Sequence, residues 1–83
     1  MLNFHHLQYF WAVAKDGHLT RTAERLRVSP SALSSQISQL EEQLGEPLFA
    51  RDGRRLVLTE AGRLALAYAE QIFTTGQELE ATF

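Results

Sequence analysis

The chain has 83 residues, 45% of them hydrophobic, no cysteine, and a formal net charge of −2. That length fits one small domain, and the apolar fraction excludes a disordered polymer. No apolar run nears the roughly 20 residues of a membrane-spanning helix, no leader peptide opens the chain, and thiolate or disulfide chemistry is absent, so a cytoplasmic protein is the expectation.

Residues 4–15 read as a first helix, with Asn3 as N-cap and Gly17 as its stop. Leu7, Phe10, Trp11 and Ala14 recur at three- and four-residue spacing and form one apolar stripe, with Phe4 and Val13 flanking it. An aromatic stripe of this kind packs a core. His5 and His6 are neighbours and point to different sides of the helix, and His18 falls in a loop. No carboxylate or thiol stands at ligand spacing from them, so no metal site is expected.

The stretch 19–38 is the centre of the chain: two short helices with a tight turn between them. The first runs from about Thr20 to Leu26, and Arg27, Val28 and Ser29 make the turn. Ser29 is a good N-cap, and Pro30 suits the first helical position, where its missing N–H costs nothing. This is the pattern of a helix-turn-helix, whose second helix usually enters the DNA major groove. Ala23, Leu26, Val28, Leu33 and Ile37 can share one core. Ser31, Ser34, Ser35, Ser38 and Gln39 then form the outer face, with Gln36 beside it. These short, uncharged polar side chains can reach base edges and phosphates, although a plain solvated helix would show them too.

The second helix continues to about Leu44, with Leu33, Ile37, Leu40 and Leu44 as its buried stripe. Gly45 stops it and Pro47 prevents continuation. Asp52-Gly53-Arg54 between two short apolar runs is a hairpin signal over about 48–58. The hairpin would stand as a wing beside the second helix, carrying Arg51, Arg54 and Arg55. These arginines either keep a sheet edge soluble or meet phosphate or the minor groove.

Thr59 and Glu60 open a long helix that meets no proline before Phe83. Its 25 residues would span about 37 Å. One apolar stripe reads Ala61, Ala65, Tyr68, Ile72, Leu79, Phe83, and a second includes Leu64, Leu66 and Phe73. One small domain cannot bury both, so one stripe should meet a partner. Gly76 interrupts the pattern and offers room for close helix approach. The pattern is still running where the chain stops, as in a fragment of something longer.

Charge is unevenly distributed. All eight Lys and Arg lie at or before Arg63, together with seven of the ten acids, while residues 64–83 carry Glu70, Glu78, Glu80 and no base. The front of the chain is locally basic despite the acidic total, and distribution decides phosphate binding.

Taken together, these pieces resemble the N-terminal DNA-binding domain of LysR-type transcriptional regulators. The matching segments are Leu7-Gln-Tyr-Phe10, Thr20-Arg-Thr-Ala23-Glu-Arg-Leu26, Val28-Ser29 through Ser34-Ser35-Gln36-Ile37, Leu40-Glu-Glu-Gln-Leu-Gly45, Leu48-Phe-Ala-Arg51 and Leu58-Thr-Glu-Ala-Gly62. They occur in family order and spacing over essentially the whole chain. Residues 6–15 also resemble regulators of sodium/proton antiporter genes. The resemblance implies a winged helix-turn-helix, a homodimer through the long linker helix, and a C-terminal effector domain, which would hold any small-molecule site and is missing here. Many members carry glutamine where this chain has Pro30, which leaves that position only apolar contact with a thymine methyl.

The resulting expectation is a mainly α fold: a winged helix-turn-helix over 1–58, with a three-helix core and two-stranded wing, then a linker and dimerisation helix over 59–83. It would bind a dyad-symmetric operator in double-stranded DNA without enzymatic activity or cofactor. Thr20, Arg21, Pro30, Ser31, Ser34, Ser35, Gln39, Arg51, Arg54 and Arg55 would face DNA, and Tyr68, Ile72, Leu79 and Phe83 would form the dimer seam. Half-sites should lie one helical turn apart or a multiple of it. The alternative is a helix-turn-helix that binds another protein instead, which steep weakening by salt would rule out. Catalysis finds no nucleophile–base pair, phosphate-cradling loop or metal cluster to support it.

Overall fold

The computed structural model describes residues 1–83 as four helices and one two-stranded sheet: α1 (Phe4–Asp16), α2 (Leu19–Leu26), α3 (Pro30–Leu44), β1 (Phe49–Asp52), β2 (Arg55–Leu58) and α4 (Glu60–Thr82). Three of the helices begin at side-chain caps. The Asn3 carboxamide accepts from the His5 and His6 amides at 2.9 and 3.2 Å. The Ser29 hydroxyl accepts from Ala32 at 3.1 Å, with Pro30 in the first turn behind it. Thr59 accepts from Gly62 at 2.9 Å and itself donates to the Pro47 carbonyl at 2.6 Å. Only α2 lacks such a cap, because His18 holds that position without a hydrogen bond.

Gly17 and Gly45 close α1 and α3. The end of α2 is less ordinary. Arg27 adopts the left-handed conformation at φ 59°, the one non-glycine residue to do so. Such a conformation costs an L-residue roughly 1–2 kcal/mol. Two hydrogen bonds offset it: Arg27 donates to Glu24 and Val28 donates to Ala23, the pairing of a Schellman motif. This compact ending leaves only three residues between α2 and α3.

The core is formed by Leu7, Phe10 and Val13 from α1, Ala23 from α2, Leu33, Ile37 and Leu40 from α3, Leu48 from the following loop, and Ala69 from α4. Val13 is thus fully buried, whereas the sequence stripe placed it at the flank. Trp11 and Ala14, expected inside, sit half-buried at the edge. Leu44, expected in the buried stripe, is 45% exposed at the last turn of α3. Ala23 has no exposed surface, as expected where α2 crosses closely against its neighbours. Beside it the buried Thr22 hydroxyl donates to the His18 carbonyl at 2.8 Å, so its polar group is satisfied.

The wing is an antiparallel pair in which Phe49 faces Leu58, Ala50 faces Val57, Arg51 faces Leu56 and Asp52 faces Arg55. Gly53 and Arg54 are therefore the two central turn residues, one position later than an Asp-Gly turn would put them. Gly53 has φ +65° and Arg54 does not have a positive φ, as in a type II′ turn, which asks for glycine first. Alternation puts Phe49 and Arg51 on one face with Leu56 and Leu58. That face turns to the domain, where the Phe49 and Phe10 rings lie 5.3 Å apart.

α4 is unbroken through Gly76. Near its start, a Cβ on Gly62 would overlap the Leu48 carbonyl, so the helix lies directly on the loop leading into β1. Ala61, Ala65, Leu66, Ala69, Ile72 and Phe73 pack on the domain. Leu64, Tyr68, Leu79 and Phe83 are exposed. The two apolar stripes thus divide differently from the sequence expectation: Leu66, Phe73, Ala61 and Ala65 turn inward, and Leu64 joins the exposed stripe. Because Ala69 belongs to the same core as Phe10 and Leu40, that core extends past residue 58.

Candidate nucleic-acid interface

α3 presents an outer surface of short polar side chains. Pro30, Ser31, Ser34, Ser35, Ser38 and Gln39 are all exposed, opposite the buried Leu33, Ile37 and Leu40. They do not form a single row. Ser31 and Ser35 hold the middle of the surface, and the Ser31 hydroxyl lies 3.4 Å from that of Ser29. Ser34 and Ser38 incline to the wing and line a cleft of about 170 Å³ with Phe49, Arg51 and Leu56. Gln39 inclines the other way, into a polar recess it shares with Asn3, His6 and Glu42 at the start of α1.

The wing arginines separate as well. Arg51 lies on the face toward α3, opposite Leu56. Arg54, at the turn, lines a second cleft with Arg51, His18 and Thr20, so the start of α2 and the wing meet there. The uncapped positive end of the α2 dipole lies in this region and adds to its attraction for anions. Arg55 is paired across the ladder with Asp52 and by alternation lies on the opposite face from Arg51. Thr20, Ser34, Arg51 and Arg54 are therefore brought together, and Arg55 is not among them.

Arg21 is exposed but engaged. Its Nε donates to Asp16 Oδ1 at 2.8 Å, and its terminal nitrogen approaches the same oxygen at 2.6 Å. Those hydrogen bonds hold the Asp16 carboxyl below its ordinary value, aided by the positive charge itself. Nη2 also donates to the Asp16 carbonyl at 3.4 Å, which leaves the Nη1 N–H groups for an anion.

Glu41 is a residue whose part sequence reasoning missed. It is half-buried, and its Oε2 accepts from the amides of Leu48 and Phe49 at 2.7 and 3.4 Å. α3 thereby holds the base of the wing through one carboxylate. The signal available in sequence was the first of two adjacent glutamates, seven residues before a leucine, which is no pattern without the fold.

Of the expected seam residues on α4, Tyr68, Leu79 and Phe83 are 60%, 62% and 99% exposed. Ile72 is instead half-buried against the domain, at the border between the two stripes. Leu64, at 62% exposure, takes a place in the exposed stripe four residues before Tyr68.

A three-helix core with an exposed polar helix, flanked by a two-stranded wing bearing inward-facing arginine, is a winged helix-turn-helix DNA-binding domain. Residues 4–63 match the model of the bacterial regulatory helix-turn-helix proteins of the lysR family. This chain belongs to that family and is its DNA-binding domain. It is 44% identical over 78 residues to the transcriptional activator protein NhaR of Escherichia coli K12, covering 94% of this chain and 26% of NhaR. It is 46% identical over 76 residues to the transcriptional activator IlvY of Salmonella typhimurium, covering 92% of this chain and 26% of IlvY. The two identities are nearly equal and do not place the chain nearer one of these relatives than the other. The chain spans about a quarter of the length of either relative. The solved complex of the BenM DNA-binding domain with catB site 1 DNA superposes with a TM-score of 0.90 at 31% identity, covering 96% of this chain and 89% of that one.

Proposed function

We propose that this chain binds a dyad-symmetric operator as a homodimer joined through α4, as the DNA-binding part of a cytoplasmic transcription regulator. The polar face of α3, with Arg51 and Arg54 beside it, carries the reading. Ser31, Ser34 and Ser35 meet base edges in the major groove. Pro30 offers only an apolar contact, and Gln39 reaches the groove margin. Thr20, Arg21, Arg51 and Arg54 bind phosphate on either side, and Arg55 contributes long-range attraction from the far face of the wing. The exposed stripe of Leu64, Tyr68, Leu79 and Phe83, with Ile72 at its border, packs on its twin. The relatives' role as transcriptional activators supports regulation of transcription as the purpose of that binding.

Footprinting on genomic fragments tests this reading. Two protected patches on one face of the duplex, separated by one helical turn or a multiple, are expected. Affinity should fall steeply as salt rises. Binding that is indifferent to salt, or a single protected patch at saturating protein, would remove the proposal.

A further inference from the structure

α4 leaves the surface of the domain at Phe73. Ala65, Ala69, Ile72 and Phe73 lie against the core, whereas every residue from Thr74 to Phe83 is exposed except the half-buried Gly76. A Cβ at Gly76 would meet nothing. The last ten residues project freely, so the direction they take is set by what holds the helix at its point of departure.

That hold is aromatic. The Phe73 and Trp11 rings stack with centroids 4.9 Å apart and planes 26° apart. Nζ of Lys15 lies over the same indole, 4.2 Å from its centroid. No other ring–ring contact involves α4. The indole Nε1 is buried and has no acceptor. A buried donor without a partner is unfavourable. Ring packing, not polar pairing, therefore keeps Trp11 where it is.

We propose that the Trp11–Phe73 stack fixes the angle at which α4 leaves the DNA-binding domain, and so sets the half-site separation that the dimer accepts. This rests on the α4 dimer described above. The lever is long enough to matter. Ten helical residues extend about 15 Å, so a 10° change at the pivot moves the tip by about 2.6 Å. Twofold symmetry repeats the change in the partner. The combined displacement reaches the 3.4 Å rise of roughly one base pair. Trp11 and Phe73 are positioning residues here, acting on DNA through the geometry of the dimer.

The test uses the 83-residue chain and a set of duplexes carrying two copies of a selected half-site, separated in one-base-pair steps. The parent should prefer one separation. Phe73→Leu keeps apolar volume but removes the ring, and should shift the preferred separation or reduce the discrimination against its neighbours about three- to tenfold. Trp11→Leu removes the same stack from the other side and should act alike if Phe73→Leu does not fold. Trp11→Phe keeps a ring and should retain the parent's preference. A uniform loss of affinity at all separations, with the parent's optimum and discrimination intact, would reduce the stack to a structural role and overturn the proposal. So would variants indistinguishable from the parent. A parent with no preferred separation would instead remove the dimer reading, and this inference with it.

Discussion

Replacing Glu41 with alanine asks how firmly α3 holds the wing. Its carboxylate accepts from the Leu48 amide at 2.7 Å and from the Phe49 amide at 3.4 Å. The first bond is short and charge-assisted, a kind that contributes about 1.5–3 kcal/mol. The second lies at the outer edge of useful geometry and adds little. Leu48 is 1% exposed, so water has poor access to the amide left behind. An orphaned buried amide costs about 1–3 kcal/mol, which overlaps with the lost bond and does not add to it. The expected loss of stability is therefore about 2–3 kcal/mol. For a domain of this size that lowers the melting midpoint by on the order of 10 °C or more. Glu41→Gln retains an acceptor oxygen and should lose less than half as much. Urea unfolding followed by circular dichroism measures the difference, with an unchanged denaturant slope showing that the native state is intact. Well below the midpoint, Glu41→Ala should also bind DNA with a shallower salt dependence, because the loosened wing no longer holds Arg51 beside α3. If Glu41→Ala unfolds within 0.5 kcal/mol of the parent, a threshold of about the scatter of surface substitutions, the carboxylate does not anchor the wing.

Arg51→Ala and Arg54→Ala should each weaken binding to every DNA sequence and flatten the salt slope by about one unit, whereas Arg55→Ala, on the other face, should change the slope by less; equal effects of all three would show the wing is read as a diffuse charge. Ser34→Ala and Ser35→Ala should each cost about 1 kcal/mol, roughly fivefold, in operator affinity with no change in melting, and a competition assay showing neither loss would remove them from the interface. Asp16→Asn should be less stable than the parent at neutral pH. The folded carboxyl titrates below its ordinary value of 3.8 because Arg21 bonds it, so its contribution is present above that value and lost as pH falls through the folded one. The parent and variant curves should therefore converge in acid, and a gap that widens there would contradict the assignment. Leu64→Asp with Leu79→Asp should give folded monomers in sedimentation and sharply lower operator affinity, and a double variant that stays dimeric would place the seam elsewhere.

Much of this fold was legible because its determinants are local. The caps Asn3, Ser29 and Thr59 act within three residues, and Pro30, Gly17 and Gly45 mark helix ends for reasons internal to the backbone. The helix-turn-helix is likewise a short-range pattern. What escaped reading depends on approach between distant segments. Val13 has no exposed surface in the packed domain, which a helical stripe alone does not reveal. Gly62 is required because α4 touches the Leu48 carbonyl, although nothing in its neighbours predicts that contact. Leu64 and Leu66 look alike in sequence, yet Leu66 packs against the core while Leu64 is 62% exposed on the outward side of α4. The exposure of the α3 serines followed from periodicity, but the parting of Arg51 from Arg55 needed the strand register.

The shared core gives the linker helix a larger part than that of a tether. Leu33, Ile37 and Leu40 on the inner side of α3 and Ala69 on the inner side of α4 belong to one buried cluster through Leu7 and Phe10 of α1. Interiors of this kind are close-packed and deform little. The outer face of α3 and the part of the outer stripe that carries Leu64 and Tyr68 are therefore two surfaces of one rigid body. In the proposed dimer, pairing on the second would fix the position of the first, and the serines of each protomer would arrive at the duplex with their spacing already decided. A flexible linker would spend binding energy on that arrangement at each encounter; in the proposed dimer the entropy of arranging it would be lost once, when the domain folds and pairs.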